Sequence, residues 1–481
     1  RRGSGYGIRG VTIDGNDPLA VRDSVRQAAD VARSGEGPVF LECRTMRLWG
    51  HYNRDIEHYR PKEDRAAAEA ADPIAVLHDR LVAAQVASSD QLAAIRREAE
   101  EEVAVLAEEV LAAPFPDPTT ARHHVVALPA IAPTYADKGS GDEMSYIEAV
   151  NAALRAELES CPETMVYGED VGFAGGIFGA SRGLQREFGT ARVFDTPIAE
   201  SAILGSAVGA AICGLRPIVE IMWADFALVA LDQLINQAAN VRYITRGDCS
   251  VPMVVRMQQG ATPGSCAQHS QSLEALLAHI PGLKVGFPAT PQDAYDMLRA
   301  AAADPDPCII IEARSLYQRR GRVSRDTAIQ PVGGAFLRRP GSDAAIITWG
   351  TALFPSLDAA ADLASDGIDV AVLDLRWLAP IDVSAIDALV STCGGRIVVA
   401  HEANVTGGMG AEIVAGISER HGGHAGLALR RVGAPDIRMP AAPALQQAVL
   451  PDRTRIAQAV RDVVAVKPPG TAPRPTTRAC T

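Results

Sequence analysis

The sharpest chemical signal lies in Asp195-Thr196-Pro197-Ile198-Ala199-Glu200, followed by Ser201-Ala202-Ile203-Leu204-Gly205-Ser206-Ala207-Val208-Gly209. A proline-containing loop delivers a carboxylate to the first turn of a helix whose other residues are almost all small or apolar. That composition predicts a buried helix. Gly205 and Gly209, four apart, share a face and would let a second helix approach closely. A glutamate at such a position is either a cap favoured by the helix dipole or a functional carboxylate. A second candidate is His269, in a polar, glycine-containing loop that runs from Gly260 to Ser270. An imidazole titrating near neutrality can carry protons in either direction, although a plain surface histidine fits the same residues. Further on, His401-Glu402 precedes Gly407-Gly408-Met409-Gly410. This is a glycine turn opening a helix, which alone is weak support for phosphate binding.

The elements that must position these residues read as successive α/β units. Gly10–Asp17 is a short strand ending in a turn, and Asp17-Pro18 starts a helix with a cap and a proline in its first turn. That helix runs to about Arg33, and Val39–Cys43 follows as a buried strand. Strand, helix, strand implies a parallel sheet. From Pro61 to Ala113 the pattern is helical, with an apolar stripe of Val103, Leu106, Ala107 and Val110. Residues 1–113 thus form one region, and 114–142 a proline-rich linker with the surface pair His123-His124. Residues 143–325 hold a second α/β domain with strands near Thr164–Gly168, Pro217–Met222, Met253–Met257, Leu283–Phe287 and Cys308–Glu312. After a looser stretch, 326–342, a third domain spans 343–466. The tail 467–481, rich in Pro and Thr, has the composition of a disordered segment.

A chain of 481 residues exceeds the ~250–300 residues at which single cores stop growing. A net charge of −12 argues against nucleic acid as the main partner, which needs clustered Lys and Arg. The eight cysteines include no Cys-x-x-Cys pair, so neither a zinc site nor a disulfide framework is indicated, and thiols in a reducing cytoplasm are the expectation. No apolar stretch is long enough to span a bilayer.

The segment around Glu200 resembles the pyrimidine-side motif of thiamine-diphosphate enzymes: a glutamate, then Gly205-x-x-x-Gly209. The longer string Asp195-Thr196-Pro197-Ile198-x-Glu200 is similar to the β subunit of 2-oxoacid dehydrogenases. Gly168-Glu169-Asp170-Val171, Gly214-Leu215-Arg216-Pro217, Gln268-His269-Ser270-Gln271 and Pro281-Gly282-Leu283-Lys284-Val285 extend the match in order. Residues 1–113 look like the end of the α subunit, through Gly5-Tyr6-Gly7-Ile8, Asp14-Gly15-Asn16-Asp17-Pro18 and Gly50-His51 with Asp55 and Tyr59-Arg60. The resemblance implies doubly wound, transketolase-like α/β domains.

It also implies roles. Glu200 would hydrogen-bond the pyrimidine ring of thiamine diphosphate, so that the cofactor supplies its own internal base. Phe226 would lie against that ring, though an aromatic after a strand also fits core packing. His269 would serve acyl transfer to lipoamide, and His51 would reach the cofactor near its diphosphate. Glu169 would extend the proton network or form a structural ion pair. The family holds the diphosphate and Mg²⁺ with Gly-Asp-Gly and a later Asn, which are expected ahead of Arg1; no metal ligand is assigned within these residues. The implied reaction is decarboxylation of a 2-oxoacid with transfer to a lipoyl-bearing dihydrolipoamide acyltransferase, in a homodimer or α2β2-like assembly in the cytoplasm. An acetoin-type dehydrogenase, a non-catalytic truncated scaffold and, more distantly, a transketolase-type enzyme are the alternatives.

Overall fold

The computed structural model describes residues 2–52, 54–127, 141–325 and 330–466, in two compact units that divide after Pro118. The tail 467–481 and parts of 114–142 and 326–342 lie outside the described residues.

In the first unit, β1 (Arg9–Asp14) pairs in parallel with β2 (Val39–Arg44). The Pro18–Arg33 helix crosses between them. Asp17 caps it, its carboxylate accepting from the backbone N–H groups of Leu19 and Ala20, with proline in the first turn where no N–H is missed. The alanine-rich stretch forms three helices, Lys62–Ala70, Pro73–Ala83 and Ser89–Ala112. Ser88 and Gln91 close a capping box on the last of these.

The second unit is built on two large sheets and an antiparallel pair of β3 (Asp142–Ser145) and β10 (Arg320–Val323). The first takes β4 (Thr164–Gly168), β5 (Val193–Asp195), β6 (Arg216–Ile221), β7 (Val254–Gln259), β8 (Lys284–Gly286), β9 (Cys308–Ala313) and β14 (Trp377–Ala379). Its order is β14-β8-β9-β7-β6-β4-β5, parallel except for β14. Every residue of β7 and β9 is buried, as expected of parallel strands covered on both faces. The second sheet has the order β11-β13-β12-β15-β16. Its strands are β11 (Phe336–Arg339), β12 (Ala344–Thr348), β13 (Val370–Asp374), β15 (Arg396–Asn404) and β16 (Ala428–Ala434), with only β11 antiparallel. These are doubly wound α/β layers of the kind the sequence indicated.

Two features bind the halves of this unit. β14 belongs by sequence to the second half yet completes the first sheet against β8. Asp293, in the first turn of the Pro291–Ala303 helix, is fully buried between two arginines of the second half. Arg376 Nε lies 2.9 Å from its carboxylate, and Arg338 bridges it to Asp374 at 2.8 Å on the Asp374 side. The paired guanidinium charges hold Asp293 below the usual carboxylate range despite burial. A second buried cluster threads three neighbouring strands of the first sheet. Arg256 of β7 lies 2.7 Å from Glu220 of β6 and 2.7 Å from Glu312 of β9, and the Tyr317 hydroxyl donates to Glu312 at 2.7 Å.

Candidate active site

Parallel α/β sheets place ligands beyond the carboxyl ends of their strands, where loops diverge. Four neighbouring strands of the first sheet end in the residues singled out from sequence. Glu169 follows β4, Glu200 follows β5, and Phe226 lies just beyond β6 in the Ala224–Ala227 turn of helix. His269 lies in the loop after β7.

Glu200 opens the Glu200–Ile212 helix with no side-chain cap ahead of it, in the first turn, where the helix dipole favours a negative charge. Among the described residues no donor side chain reaches it. Glu169 is close enough for the Glu200 charge to act on it. Burial first, then that charge and Asp170, push the Glu169 carboxyl above its ordinary value. One Glu169 oxygen, and the Thr196 hydroxyl on the neighbouring loop, are buried without a hydrogen-bond partner. The ion-pair reading of Glu169 is therefore corrected: among the described residues it forms no salt bridge, and the charges that act on it are those of Glu200 and Asp170. A buried acceptor left open is costly, and a group of them at a strand edge suits a polar heterocycle that supplies the missing donors.

The helix behind Glu200 differs from the sequence reading. Ile203, Leu204, Ala207, Val208 and Ala211 are buried, but Ala202, Ser206, Gly209 and Ile212 are exposed, so the helix is covered on one side only. The Ser201 hydroxyl donates to the Val229 carbonyl at 2.7 Å, which ties the helix to the segment carrying Phe226.

His269 is half-buried, its ring edge-on to Trp223 (centroids 5.0 Å apart) and to Phe226 (5.5 Å). This is a boxed imidazole and not a free surface one. Trp223 also meets Phe178 edge-on at 5.6 Å, and the Arg314 guanidinium lies over both rings, 4.6 Å from Phe178 and 5.2 Å from Trp223. Sequence reasoning missed Trp223, Phe178 and Arg314. Phe178 and Arg314 lie in unrelated segments with no motif to mark them, and they meet only because β4, β6 and β9 share one sheet.

His51 belongs to the first unit, in an exposed turn whose backbone N–H donates to Asp55 at 2.7 Å. That bond, the Glu57 N–H and the Tyr59 hydroxyl bring the Asp55 carboxyl down to about 2. His401-Glu402 and the following glycines are not a phosphate cradle. A Cβ on Gly410 would lie 2.5 Å from the His401 ring and one on Gly408 2.8 Å from it, so both glycines make room for that imidazole. Among the described residues no group of three His, Cys, Asp or Glu side chains could hold a metal ion, and no helix is long and apolar enough to cross a membrane.

Comparison with known proteins bears directly on this site. Residues 142–320 match the model of the transketolase pyrimidine-binding domain and 333–456 that of the transketolase C-terminal domain. Residues 1–119 match the dehydrogenase E1 component. The 2-oxoisovalerate dehydrogenase subunit beta of Bacillus subtilis is 40% identical over 322 residues, covering 66% of this chain and 98% of the relative. The chain belongs to the thiamine-diphosphate-dependent 2-oxoacid dehydrogenases. Within that family, the pyruvate dehydrogenase E1 component subunit beta of Bacillus subtilis is 39% identical, over 67% of this chain and 99% of the relative. The acetoin:2,6-dichlorophenolindophenol oxidoreductase subunit beta of Cupriavidus necator is also 39% identical, over 66% and 97%. A solved structure titled as a split-gene transketolase, inactive β4 tetramer, superposes with a TM-score of 0.56 at 23% identity, covering 68% of this dehydrogenase chain and 99% of that chain. That likeness shows the fold. The chain thus joins a region matching the E1 component model to a region similar to whole β subunits.

Proposed function

We propose that this chain supports oxidative decarboxylation of a 2-oxoacid and passes the acyl group to the lipoyl group of an acyltransferase partner. The observation that carries the proposal is the open carboxylate of Glu200 at the head of a helix, beside the buried, unpartnered acceptors of Glu169 and Thr196. Those residues fit the pyrimidine half of thiamine diphosphate. When bound, that cofactor supplies a carbon nucleophile for a carbonyl and stabilises the negative charge left when carbon dioxide departs.

The chain's own groups have separate tasks in this reading. Glu200 holds the ring nitrogen of the pyrimidine and keeps a proton there. Glu169, with one buried oxygen lacking a partner, accepts a hydrogen bond from the same ring. Phe226 packs on the ring and excludes water. His269, held by Trp223 and Phe226 at the mouth of the same strand edge, delivers a proton to the sulfur of the lipoyl group as the acyl group transfers. By the same family likeness His51 is assigned to the diphosphate end of a cofactor, and Mg²⁺ with the diphosphate is assigned to the family's Gly-Asp-Gly and Asn, for which no residue of this sequence is named. The exposed small face of the Glu200–Ile212 helix packs on its counterpart in a second copy, giving a dimer or α2β2-like assembly.

Glu200→Gln in the assembled enzyme tests the central assignment. It should leave the fold intact yet slow turnover about a thousandfold, ~4 kcal/mol of barrier. Decarboxylation near the wild-type rate, for any accepted acid among pyruvate, branched 2-oxoacids and 2-oxoglutarate, would sink it. The same screen with acetoin separates the acetoin-type reading.

A further inference from the structure

The loop that carries His269 is fastened less to its own domain than to the second half of the unit. Glu402, at the end of β15, reaches across and accepts the backbone N–H of Ala261 at 2.6 Å; its other oxygen accepts the Thr351 hydroxyl. Gln446 donates to the Thr262 carbonyl at 2.9 Å and to the Pro440 carbonyl at 2.8 Å. The Gly264 N–H donates to the Ala441 carbonyl at 3.1 Å. At the far end Arg438 donates to Gln271 at 2.5 Å, and Gln271 in turn donates to Asp225, next to Phe226, at 2.9 Å. Within the loop, Ser265 bonds the Thr262 carbonyl at 2.6 Å and the Ser270 hydroxyl at 2.6 Å, closing it on itself.

We propose that Glu402 is a positioning residue for His269: through the Ala261 N–H it sets the loop that presents the imidazole to the acyl acceptor. This rests on the reading of His269 given above. The position of Glu402 is specific. It is half-buried, and Gly260 has a φ of +95° with its missing Cβ directed 2.9 Å from the Glu402 carboxylate, so any side chain there would displace it. Only a glycine both tolerates that backbone and leaves room for the carboxylate. A carboxylate accepting a backbone N–H is a strong, directional hydrogen bond, and its loss strands the buried Ala261 N–H. The second half of this unit therefore acts on the loop of the first. It forms one wall of the template for the loop.

The test compares Glu402→Ala, Glu402→Gln and His269→Ala in the full chain. Hydrogen–deuterium exchange is read on peptides covering 261–271, with peptides covering β7 as reference. Glu402→Ala should raise exchange in 261–271 at least tenfold and leave β7 unchanged. Glu402→Gln, whose amide oxygen can still accept from Ala261, should restore the wild-type pattern. In the assembled enzyme, the ratio of lipoyl-domain acylation to dye-linked oxidation should fall at least tenfold in both Glu402→Ala and His269→Ala. Unchanged exchange in 261–271, or a rise spread over the whole chain, overturns the role of Glu402. A normal ratio in His269→Ala overturns the reading of His269, while exchange still decides whether Glu402 holds the loop. A normal ratio in Glu402→Ala beside a lowered one in His269→Ala overturns the link between the two.

Discussion

His401 is fully buried, stacked on Trp349 with ring centroids 5.2 Å apart, and neither ring nitrogen has a hydrogen-bond partner of good geometry. Burial, aided by the nearby Arg431 charge, brings its pKa down from 6.5 to about 4. Between those values the unfolded chain takes up a proton that the folded chain refuses, so stability is full above pH 6.5 and drains away as pH falls toward 4. The contribution is on the order of 3 kcal/mol. His401→Leu should flatten the acid limb of a plot of Tm against pH over that window. A limb as steep as wild type would assign the acid sensitivity elsewhere. Glu169 has the opposite dependence: its raised carboxyl favours the fold in acid and loses that advantage as pH rises. At this scale the sequence was informative about residue types and silent about partners. Glu200 was legible because a carboxylate ahead of a run of small residues is a local pattern. Glu402 was visible only as a neighbour of His401, because its bond to Ala261 joins residues 141 positions apart.

The Glu200–Ile212 helix shows what an element can reveal about neighbours beyond the chain. Its buried side satisfies the sheet, while Gly209 has nothing within 4 Å of its missing Cβ and is exposed. Replacing Gly209 with Leu should therefore fit the single chain and favour the helix by somewhat less than the ~0.8–1 kcal/mol that separates Gly from Ala. If the exposed face seats a second copy, the same change should break the assembly while leaving the far-UV spectrum intact, as sedimentation would show. An assembly of unchanged size would place the interface elsewhere. Helix boundaries were the legible part of the elements, because caps such as Asp17, Ser145 and Thr290 act within three residues. Which face of a helix is covered was not, because apolar, small residues suit a domain core and a subunit interface equally. The sequence reading of a wholly buried helix failed for that reason.

Across the whole second unit, cohesion depends on groups that one half lends the other. Arg338 joins Asp293 of the first half to Asp374 of the second, and both carboxylates are fully buried. Removing one member of such a cluster leaves uncompensated buried charge, at a cost of about 3–5 kcal/mol. Arg338→Leu should lower the midpoint of chemical unfolding accordingly, and a wild-type midpoint would show that Arg376 alone suffices for Asp293. The order of strands in a sheet was the least legible feature of all, since nothing in Trp377–Ala379 announces pairing with a strand almost a hundred residues earlier. That pairing has a consequence for biogenesis. A ribosome releases the first sheet before it releases β14, so a nascent chain carries β8 as an open edge with free backbone donors and acceptors. Until the second half emerges, the newborn protein must be kept from its neighbours, and a message truncated between the two halves would encode a sheet that invites polymerisation.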